Sequence, residues 1–291
     1  MASLKEIKVR IGSVKNTRKI TSAMKMIASS KLHKAQYAII NFLPYQRKLD
    51  AILTNLLSSD SSNDSPFTKK RKVSKVGIVV FASNSTLCGA YNSNIKKEFL
   101  KVYNSKLHLG KDNIEVYPVG KKIEQFVDKE SAFKHGSYQH IANLPVFNDV
   151  QELSALLMDK YVKEELDEII LIYHHFKSTG TQLLTTSTFL PFDLTQNQPV
   201  SGAKPVHADY ILEPNKEEIL KSLIPTVLNA KLFASALDSA ASEHAARMMA
   251  MQVATENADE LIQSLTIQYN KTRQQAVTNE LLDIIGGASA L

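Results

Sequence analysis

The chain has 291 residues, of which 44% are hydrophobic, and its formal net charge is +6 with a pI near 9.1. A single cysteine, Cys88, excludes an intramolecular disulfide and any metal site built from several cysteines. No apolar run reaches the roughly 18 residues of a membrane span, and the start lacks a signal or transit pattern. The sequence therefore predicts a bacterial-type cytosolic chain.

The first region, residues 1–57, is predicted to be one long helix, with Pro44 marking the place where a break or bend would fall. Ser3 and Glu6 have the spacing of a capping box, which sets the helix start. Apolar residues then recur at helical steps of three and four, at Leu4, Ile7, Ile11 and Val14. The same face becomes polar or small further on, at Arg18, Thr21, Lys25 and Ala28.

The two ends of the chain carry net charges of opposite sign. Residues 1–40 hold nine bases and one acid, a net charge of +8, whereas residues 209–291 hold eleven acids and six bases, a net charge of −5. Opposite charges favour the two ends lying side by side, although each exposed ion pair contributes only ~0–1 kcal/mol. A basic helix also suits an anionic partner.

A linker follows at residues 58–72, "SSDSSNDSPFTKKRK". Its serine-rich polar composition predicts a solvated loop. A nuclear-localisation signal in "KKRK" is the weaker alternative.

The middle region, residues 73–206, changes to the pattern of buried strands alternating with helices. "VGIVVFAS", "IEVYPVG", "EIILIYHHF" and "TQLLTTSTFLPF" are short apolar or β-branched runs. This alternation predicts a Rossmann-like α/β domain with a mostly parallel sheet. His174 and His175 are adjacent on one strand, so their side chains should point to opposite faces, which makes them poor joint ligands for a metal.

The last region, residues 207–291, is predicted to form a second long helix, from about 226 to 285. Between residues 215 and 285 there is no glycine and a single proline, Pro225. One face carries Ala254, Ala258, Leu261, Leu265 and Tyr269. Such a helix needs a partner, and the N-terminal helix is the obvious candidate. We expect an antiparallel coiled coil of the two terminal helices flanking the α/β domain.

Motifs for catalysis are missing from the sequence. There is no phosphate-binding loop, no G-x-G-x-x-G, no nucleophile elbow and no H-E-x-x-H. Cys88 is interpreted as a small buried hydrophobe rather than a nucleophile. Glu243 and His244 are interpreted as part of a solvated polar helix face rather than an acid-base pair. The pattern favours a scaffolding or mechanical protein that binds no cofactor.

Three stretches carry a family resemblance. "IKVRIGSVKNTRKITSAMKMIASSKLHKAQ" resembles the N-terminal helix of the γ subunits of F-type ATP synthases. "SEHAARMMAMQVATENADELI" and "YNKTRQQAVTNELLDIIGGASA" resemble the C-terminal helix, and "LCGAYN" resembles the loop after the first central strand. The resemblance extends over the whole chain in order.

This resemblance implies the central shaft of a rotary motor, non-catalytic itself. Its partners would be the α and β subunits of the catalytic hexamer, the ε subunit and the ring of c subunits. Proton-driven rotation would be coupled to ATP synthesis on β. The location would be peripheral, on the cytoplasmic face of the bacterial inner membrane, with membrane association only through the complex and with no nucleic acid bound.

Individual residues take roles from the same resemblance. Contacts with the α/β hexamer would involve Met24, Lys25, Arg247, Gln274, Thr278, Glu280 and Asp283. The end of the shaft that contacts the c ring and ε, here called the foot, would involve Tyr210, Leu212 and Glu213. Without the resemblance, Met24 would be a coiled-coil core residue and the charged positions a solvated helix face.

The sequence departs from the family pattern in the central loop. Ser83, Asn84, Ser85 and Thr86 replace a stretch that usually holds a charged pair and a glycine. His33 stands where arginine is common, and Leu212 where tyrosine is common. Two other hypotheses remain open: a basic coiled-coil protein that binds nucleic acid, and a small-molecule α/β enzyme with helical ends.

Overall fold

The computed structural model describes residues 3–58, 65–69, 71–130, 132–192, 212–213 and 215–289. Contacts divide the chain into two compact units. The helical unit comprises Met1–Ser29 and Arg247–Leu291, and the sheet unit comprises Ser30–Ala246. The two long terminal helices, α1 (Leu4–Ser58) and α6 (Lys216–Ser289), contribute residues to both units.

The sheet unit is built on five strands within the described ranges, in the order β3-β2-β1-β4-β5. Their bounds are β1 (Val76–Phe81), β2 (Ile114–Val119), β3 (Phe133–Lys134), β4 (Glu168–Ser178) and β5 (Thr181–Leu190). All neighbouring strands pair in parallel except β4 and β5, which form an antiparallel hairpin. The predicted mostly parallel sheet is confirmed, and burial of both its faces explains the continuous apolar runs.

Each face of the sheet has its own core. Helices α2 (Tyr91–Lys106) and α3 (Lys121–Lys129) cover one face, where Ile78 packs with Phe99 and Ile123. Alternate strand residues such as Val79 turn to the other face. There α5 (Phe147–Val162) packs with the sheet-unit portions of α1 and α6. The short α4 (Gln139–Asn143) contributes Ile141 to this second core.

Helix α1 begins at its predicted cap and continues through its proline. The Ser3 amide donates to Glu6 Oε2 at 2.9 Å, and the Glu6 amide donates to Ser3 Oγ at 3.2 Å. A break at Pro44 does not occur. Pro44 removes one backbone donor, but residues on both sides of it are anchored in the sheet unit. Phe42 meets the Phe233 ring edge-on at 4.9 Å, and Leu53 is buried in the core.

Helix α6 begins ten residues earlier than predicted, at Lys216, with Pro225 inside it. The predicted start near residue 226 was wrong because Asn215 supplies a side-chain cap. Its Oδ1 accepts the amide of Glu218 at 2.9 Å. Burial of Ile224 and Val227 on either side of Pro225 holds the first turns in place.

The described part of the linker is only partly solvated. Phe67 packs against the second core, and the Arg71 guanidinium lies 4.5 Å over the Tyr161 ring. Arg71 Nη2 also donates to the Tyr161 carbonyl oxygen at 2.6 Å. The described part of the linker therefore fastens the chain to α5, and it is more buried than the predicted solvated loop.

The expectation of a solvated Glu243 and His244 was also wrong. Both are about 6% exposed. This portion of α6 lies in the sheet unit and is buried on nearly all of its faces from Ser235 to Ala245. A polar pair on a helix predicts solvent exposure only where one helix face stays uncovered. Cys88 is buried, as expected.

Candidate functional site

The helical unit is an antiparallel helix pair in one defined register. Arg18 Nε lies 2.5 Å from Asp259 Oδ1, and Thr255 Oγ1 donates to Thr21 Oγ1 at 2.9 Å. Residue numbers rise along α1 as they fall along α6, so the helices run in opposite directions. The buried apolar residues of the described part of this unit are Ile7, Ala28, Met251, Ala258 and Leu265, and Thr21 is buried with them.

The first group of predicted contact residues lies in one section of this pair. Met24 and Lys25 on α1 are both half-buried. The register places them opposite residues 251–252 of α6. Arg247, also half-buried, lies about one turn further along α6. The structure thus brings Met24, Lys25 and Arg247 into neighbouring turns on two helices.

The second group lies far from the first. Gln274, Thr278, Glu280 and Asp283 are all exposed. Arg247 and Gln274 are 27 residues apart on α6, which corresponds to about 40 Å along the helix axis at ~1.5 Å per residue. The same register places residue 274 opposite the start of α1, so α6 continues past its partner. We call residues 274–289 the α6 tip.

The four predicted residues of the α6 tip do not form one patch. Gln274 and Thr278 are one turn apart, and Thr278 Oγ1 donates to the Gln274 carbonyl oxygen at 2.9 Å. Glu280 and Asp283 share a different helix face, since helical positions advance by about 100° per residue. Around them lie exposed large apolar side chains: Val277, Leu281, Leu282, Ile284 and Ile285.

The predicted foot residues belong to the sheet unit and precede α6. Leu212 is half-buried and Glu213 is exposed. Tyr210 lies outside the described residues. The structure therefore places two of the three foot residues, both within four residues of the helix start at Lys216.

The central loop that departs from the family pattern is held by side-chain hydrogen bonds. Asn84 Oδ1 accepts the Lys121 amide at 2.8 Å, and Asn84 Nδ2 donates to the Gln139 carbonyl oxygen at 2.8 Å. Asn84 therefore joins the loop after β1 to the start of α3 and to α4. An asparagine can make both bonds because its amide is a donor and an acceptor. No sequence signal identified these partners.

The backbone at Gly120 lies very close to the backbone at Ala82, just before the same loop. Gly120, at the start of α3, has a φ of +114°, and a Cβ there would lie 2.1 Å from the Ala82 carbonyl oxygen. Only glycine fits this position. Beyond the loop, Leu87 has a φ of +66° and is exposed.

The described ranges contain neither a metal-binding cluster nor a helix fit to span a membrane. In these residues, no group of three or more His, Cys, Asp or Glu side chains could hold a metal ion. No helix in the described part of the chain is both long enough and apolar enough to cross a membrane.

The two units define a class of protein in which a doubly wound α/β domain is inserted between two long terminal helices that pair in antiparallel fashion. The model of the ATP synthase family matches residues 3–291. The ATP synthase gamma chain of Bacteroides fragilis is 57% identical over 290 residues, with 100% of both chains covered. That of Bacteroides thetaiotaomicron is 54% identical over 297 residues, with 99% of each covered.

A solved structure shares the fold. The rotor of the Euglena gracilis mitochondrial ATP synthase superposes with a TM-score of 0.63 at 17% identity, covering 94% of this chain and 98% of that one. The chain belongs to the ATP synthase gamma-chain family. The resemblance seen in the terminal motifs is confirmed, and these relatives give no support to the nucleic-acid-binding hypothesis.

Proposed function

We propose that this chain is the central rotor shaft of an F-type ATP synthase. It would couple proton-driven rotation of a membrane ring to ATP synthesis at β-subunit sites, and the reverse during hydrolysis. The observation that carries the proposal is full-length similarity to Bacteroides ATP synthase gamma chains. The Euglena chain of the same fold is described as part of a rotor.

The α6 tip would turn inside the α/β hexamer. Its exposed apolar side chains can contact an apolar sleeve without directional bonds, so rotation costs little in broken hydrogen bonds. Gln274, Thr278, Glu280 and Asp283 would add polar contacts on two faces of the helix. A tip with two polar faces suits a ring of partners that surrounds it on all sides.

Met24, Lys25 and Arg247 would form a second contact with the hexamer. The basic charge on α1 suits acidic loops on β, because charge attraction has a long reach and tolerates sliding. Met24 and Lys25 are both half-buried, so part of each side chain stays accessible to a partner. Two contact levels about 40 Å apart along α6 would let one shaft engage the hexamer at two heights.

The foot would contact the c ring and ε through Tyr210, Leu212 and Glu213. That contact would put the chain at the cytoplasmic face of the bacterial inner membrane, associated with the membrane only through the complex. The proposed domain division keeps residues 1–57 and 207–291 as the shaft helices, 58–72 as a linker and 73–206 as the α/β body.

We also propose that the chain is non-catalytic and needs no cofactor. The missing phosphate-binding motifs support this, since a shaft leaves nucleotide binding to the hexamer. Co-purification with the α and β subunits of its own source tests the proposal. One complex on size exclusion, with Mg-ATP hydrolysis absent from each part alone, is expected. A chain that stays separate and hydrolyses ATP alone would point instead to an α/β enzyme.

A further inference from the structure

The carboxyl-terminal edge of the parallel sheet carries lysines without acidic neighbours in the sequence. Strands β1 and β2 both end at this edge, and α2 and α3 begin there. Residues 82–97 hold two lysines and no acid, and residues 120–123 also hold two lysines and no acid. The four are Lys96, Lys97, Lys121 and Lys122. We call residues 83–97 and 120–122 the carboxyl-edge surface.

The charges of these four lysines are not neutralised by the chain itself. Among the described residues none of them forms an ion pair, and Lys96 Nζ lies instead 5.2 Å from the centroid of the Phe126 ring. The acids of α2 and α3 are already paired with two other lysines, at 2.8–3.5 Å: Glu98 with Lys101, and Glu124 and Asp128 with Lys134. The starts of both helices add positive partial charge at the same edge. The carboxyl-edge surface therefore attracts an anionic partner.

The loop of this surface also presents one apolar side chain. Leu87 is 56% exposed and has a φ of +66°, a left-handed conformation that is unfavourable for a leucine. The loop is held by Asn92, whose Nδ2 donates to Ser83 Oγ at 2.7 Å and to Cys88 Sγ at 3.1 Å. An exposed leucine in this conformation contributes little to the packing of the sheet unit, and it suits contact with another molecule.

The chemistry of the surface fits a protein partner. Leu87 is its one exposed large apolar side chain, and none of its residues, all of them described, is an exposed aromatic. Single-stranded nucleic acid stacks on exposed aromatic rings, and a membrane surface needs a larger apolar face. An acidic protein surface with a small apolar contact matches four lysines around one leucine.

The course of α6 shows at which end of the sheet unit this surface lies. Lys231 Nζ donates to the carbonyl oxygen of Thr188, which pairs with the amino-terminal half of β4. Further along α6, Asp238 Oδ2 lies 2.6 Å from Nδ1 of His175, in the carboxyl-terminal half of β4. Helix α6 therefore follows β4 towards the carboxyl-terminal edge of the sheet.

The foot lies at the other end of this course. Ser239 Oγ on α6 is 2.7 Å from the hydroxyl of Tyr91, the first residue of α2, so residue 239 lies beside the carboxyl-edge surface. Leu212 and Glu213 precede the start of α6 at Lys216, which is 23 residues before Ser239. That separation is about 35 Å along the helix at ~1.5 Å per residue. A foot on the c ring would leave the carboxyl-edge surface facing away from the ring.

We propose that the carboxyl-edge surface is a further contact with the α/β hexamer, made by the sheet unit rather than by the shaft helices. Its lysines would face an acidic surface of the hexamer, and Leu87 would enter an apolar depression within it. The inference rests on the proposed function, which supplies the hexamer as the partner and the c ring as the opposite neighbour.

The test reverses two exposed charges, in Lys97→Glu/Lys121→Glu. The full chain is titrated into the purified α/β hexamer at about 50 mM and about 300 mM salt, because attraction between exposed charges is screened by salt. Affinity should fall about thirtyfold at low salt and by a smaller factor at high salt. The melting temperature should not change, since neither lysine is buried or forms an ion pair in the described residues.

A matched control makes the same charge change at the opposite ends of the same elements, in Lys111→Glu/Lys129→Glu. Lys111 lies beyond the end of α2 and Lys129 is the last residue of α3, and both are exposed. This variant should bind the hexamer within about twofold of the wild type. Wild-type affinity in Lys97→Glu/Lys121→Glu, or an equal loss in the control, would overturn the inference.

Leu87→Asn tests the apolar contact separately. Asparagine tolerates the left-handed conformation, so the melting temperature should stay the same or rise. Affinity for the hexamer should fall about fivefold at both salt concentrations, because apolar contact is not screened. Wild-type affinity in this variant would remove Leu87 from the contact.

Failure of the proposed function gives a different result. If the wild-type chain does not bind the α/β hexamer, the shaft proposal fails and the inference fails with it. If the wild type binds and Lys97→Glu/Lys121→Glu binds equally well, the carboxyl-edge surface alone is ruled out. A variant that loses binding only to vesicles of anionic phosphatidylglycerol would also rule it out, in favour of a lipid partner.

Discussion

In the sheet unit, burial of the single side chain His174 makes the stability of the fold sensitive to acid. Its side chain is 3% exposed and stacks on the Tyr91 ring at a centroid distance of 4.5 Å. Tyr91 is tied to α6 by a 2.7 Å hydrogen bond between its hydroxyl and Ser239 Oγ. Burial lowers the pKa of His174 to about 4, from an ordinary value of 6.5. The neutral ring therefore fits this site and the charged ring does not.

His174 should make the free energy of unfolding fall as the pH drops from about 6.5 towards 4. In that window the unfolded chain binds a proton that the folded chain excludes, so acid favours unfolding. The loss should be roughly 2–3 kcal/mol. Urea denaturation of His174→Gln at pH 7 and pH 5 should show a smaller difference than the wild type. The exposed His33→Gln serves as control, and an equally steep pH dependence in both variants would contradict the assignment.

Lys25 gives a second prediction for a single residue. It tests whether a basic side chain on α1 is attracted to acidic loops on β. Lys25→Glu sets like charges against acidic loops on β, so affinity for the hexamer should fall about tenfold. ATP-driven proton pumping should fall relative to hydrolysis. Lys25→Arg keeps the charge and should behave as the wild type. Unchanged affinity in Lys25→Glu, measured by titration of the hexamer, would count against an ionic contact there.

At the scale of elements, local chemistry allowed much of the fold to be predicted. The four longer strands follow from β-branched apolar runs, and the start of α1 follows from its capping box. The start of α6 was missed because Pro225 suggested a boundary, whereas Asn215 forms the cap. Burial of His244 was missed because a helix packed on nearly all faces has no polar stripe to reveal it.

The candidate site was less predictable than the fold. The resemblance named Met24 and Arg247, but only the antiparallel register places them in neighbouring turns. Separation of the α6 tip from this group also depends on that register. The partners of Asn84 are 37 and 55 residues away in sequence. Contacts between such distant residues leave no periodic pattern in the sequence.

Asn84 gives a prediction for the elements that it joins. Asn84→Ala removes both bonds and leaves a helix-start amide and a carbonyl oxygen without that partner, so it should destabilise the chain by about 1–3 kcal/mol. Asn84→Asp keeps the acceptor for the Lys121 amide but loses the donor to Gln139. Urea denaturation should therefore rank stability as wild type, then Asp, then Ala. An alanine variant as stable as the wild type would show that the bridge contributes nothing.

At the scale of the whole molecule, the chain combines an α/β body with a paired-helix unit whose last turns carry exposed apolar side chains. The body has its own two-sided core, and the helix pair has a thin seam of small and apolar residues. A thin seam contributes little stability by itself, so burial against partners would add to it. This division suits a protein that works only inside a complex.

The end of the α6 tip should be dispensable for assembly. Removing residues 286–291 takes away five small residues and Leu291 while leaving Leu281, Leu282 and Ile284 in place. The truncated chain should therefore still bind the α/β hexamer on size exclusion. Removing residues 274–291 takes away the apolar side chains as well, and this longer truncation should weaken binding and coupling. Loss of binding in the shorter truncation would show that residues 286–291 contribute directly to binding the hexamer.

The most direct test of the central claim is ATP-driven proton pumping by a complete complex rebuilt with this chain. The chain is combined with the α, β and ε subunits and the membrane sector of its own source in sealed vesicles. Hydrolysis should acidify the vesicle interior only when this chain is present, and hydrolysis by the chain alone should be absent. Pumping that is equal with and without the chain would contradict the rotor shaft.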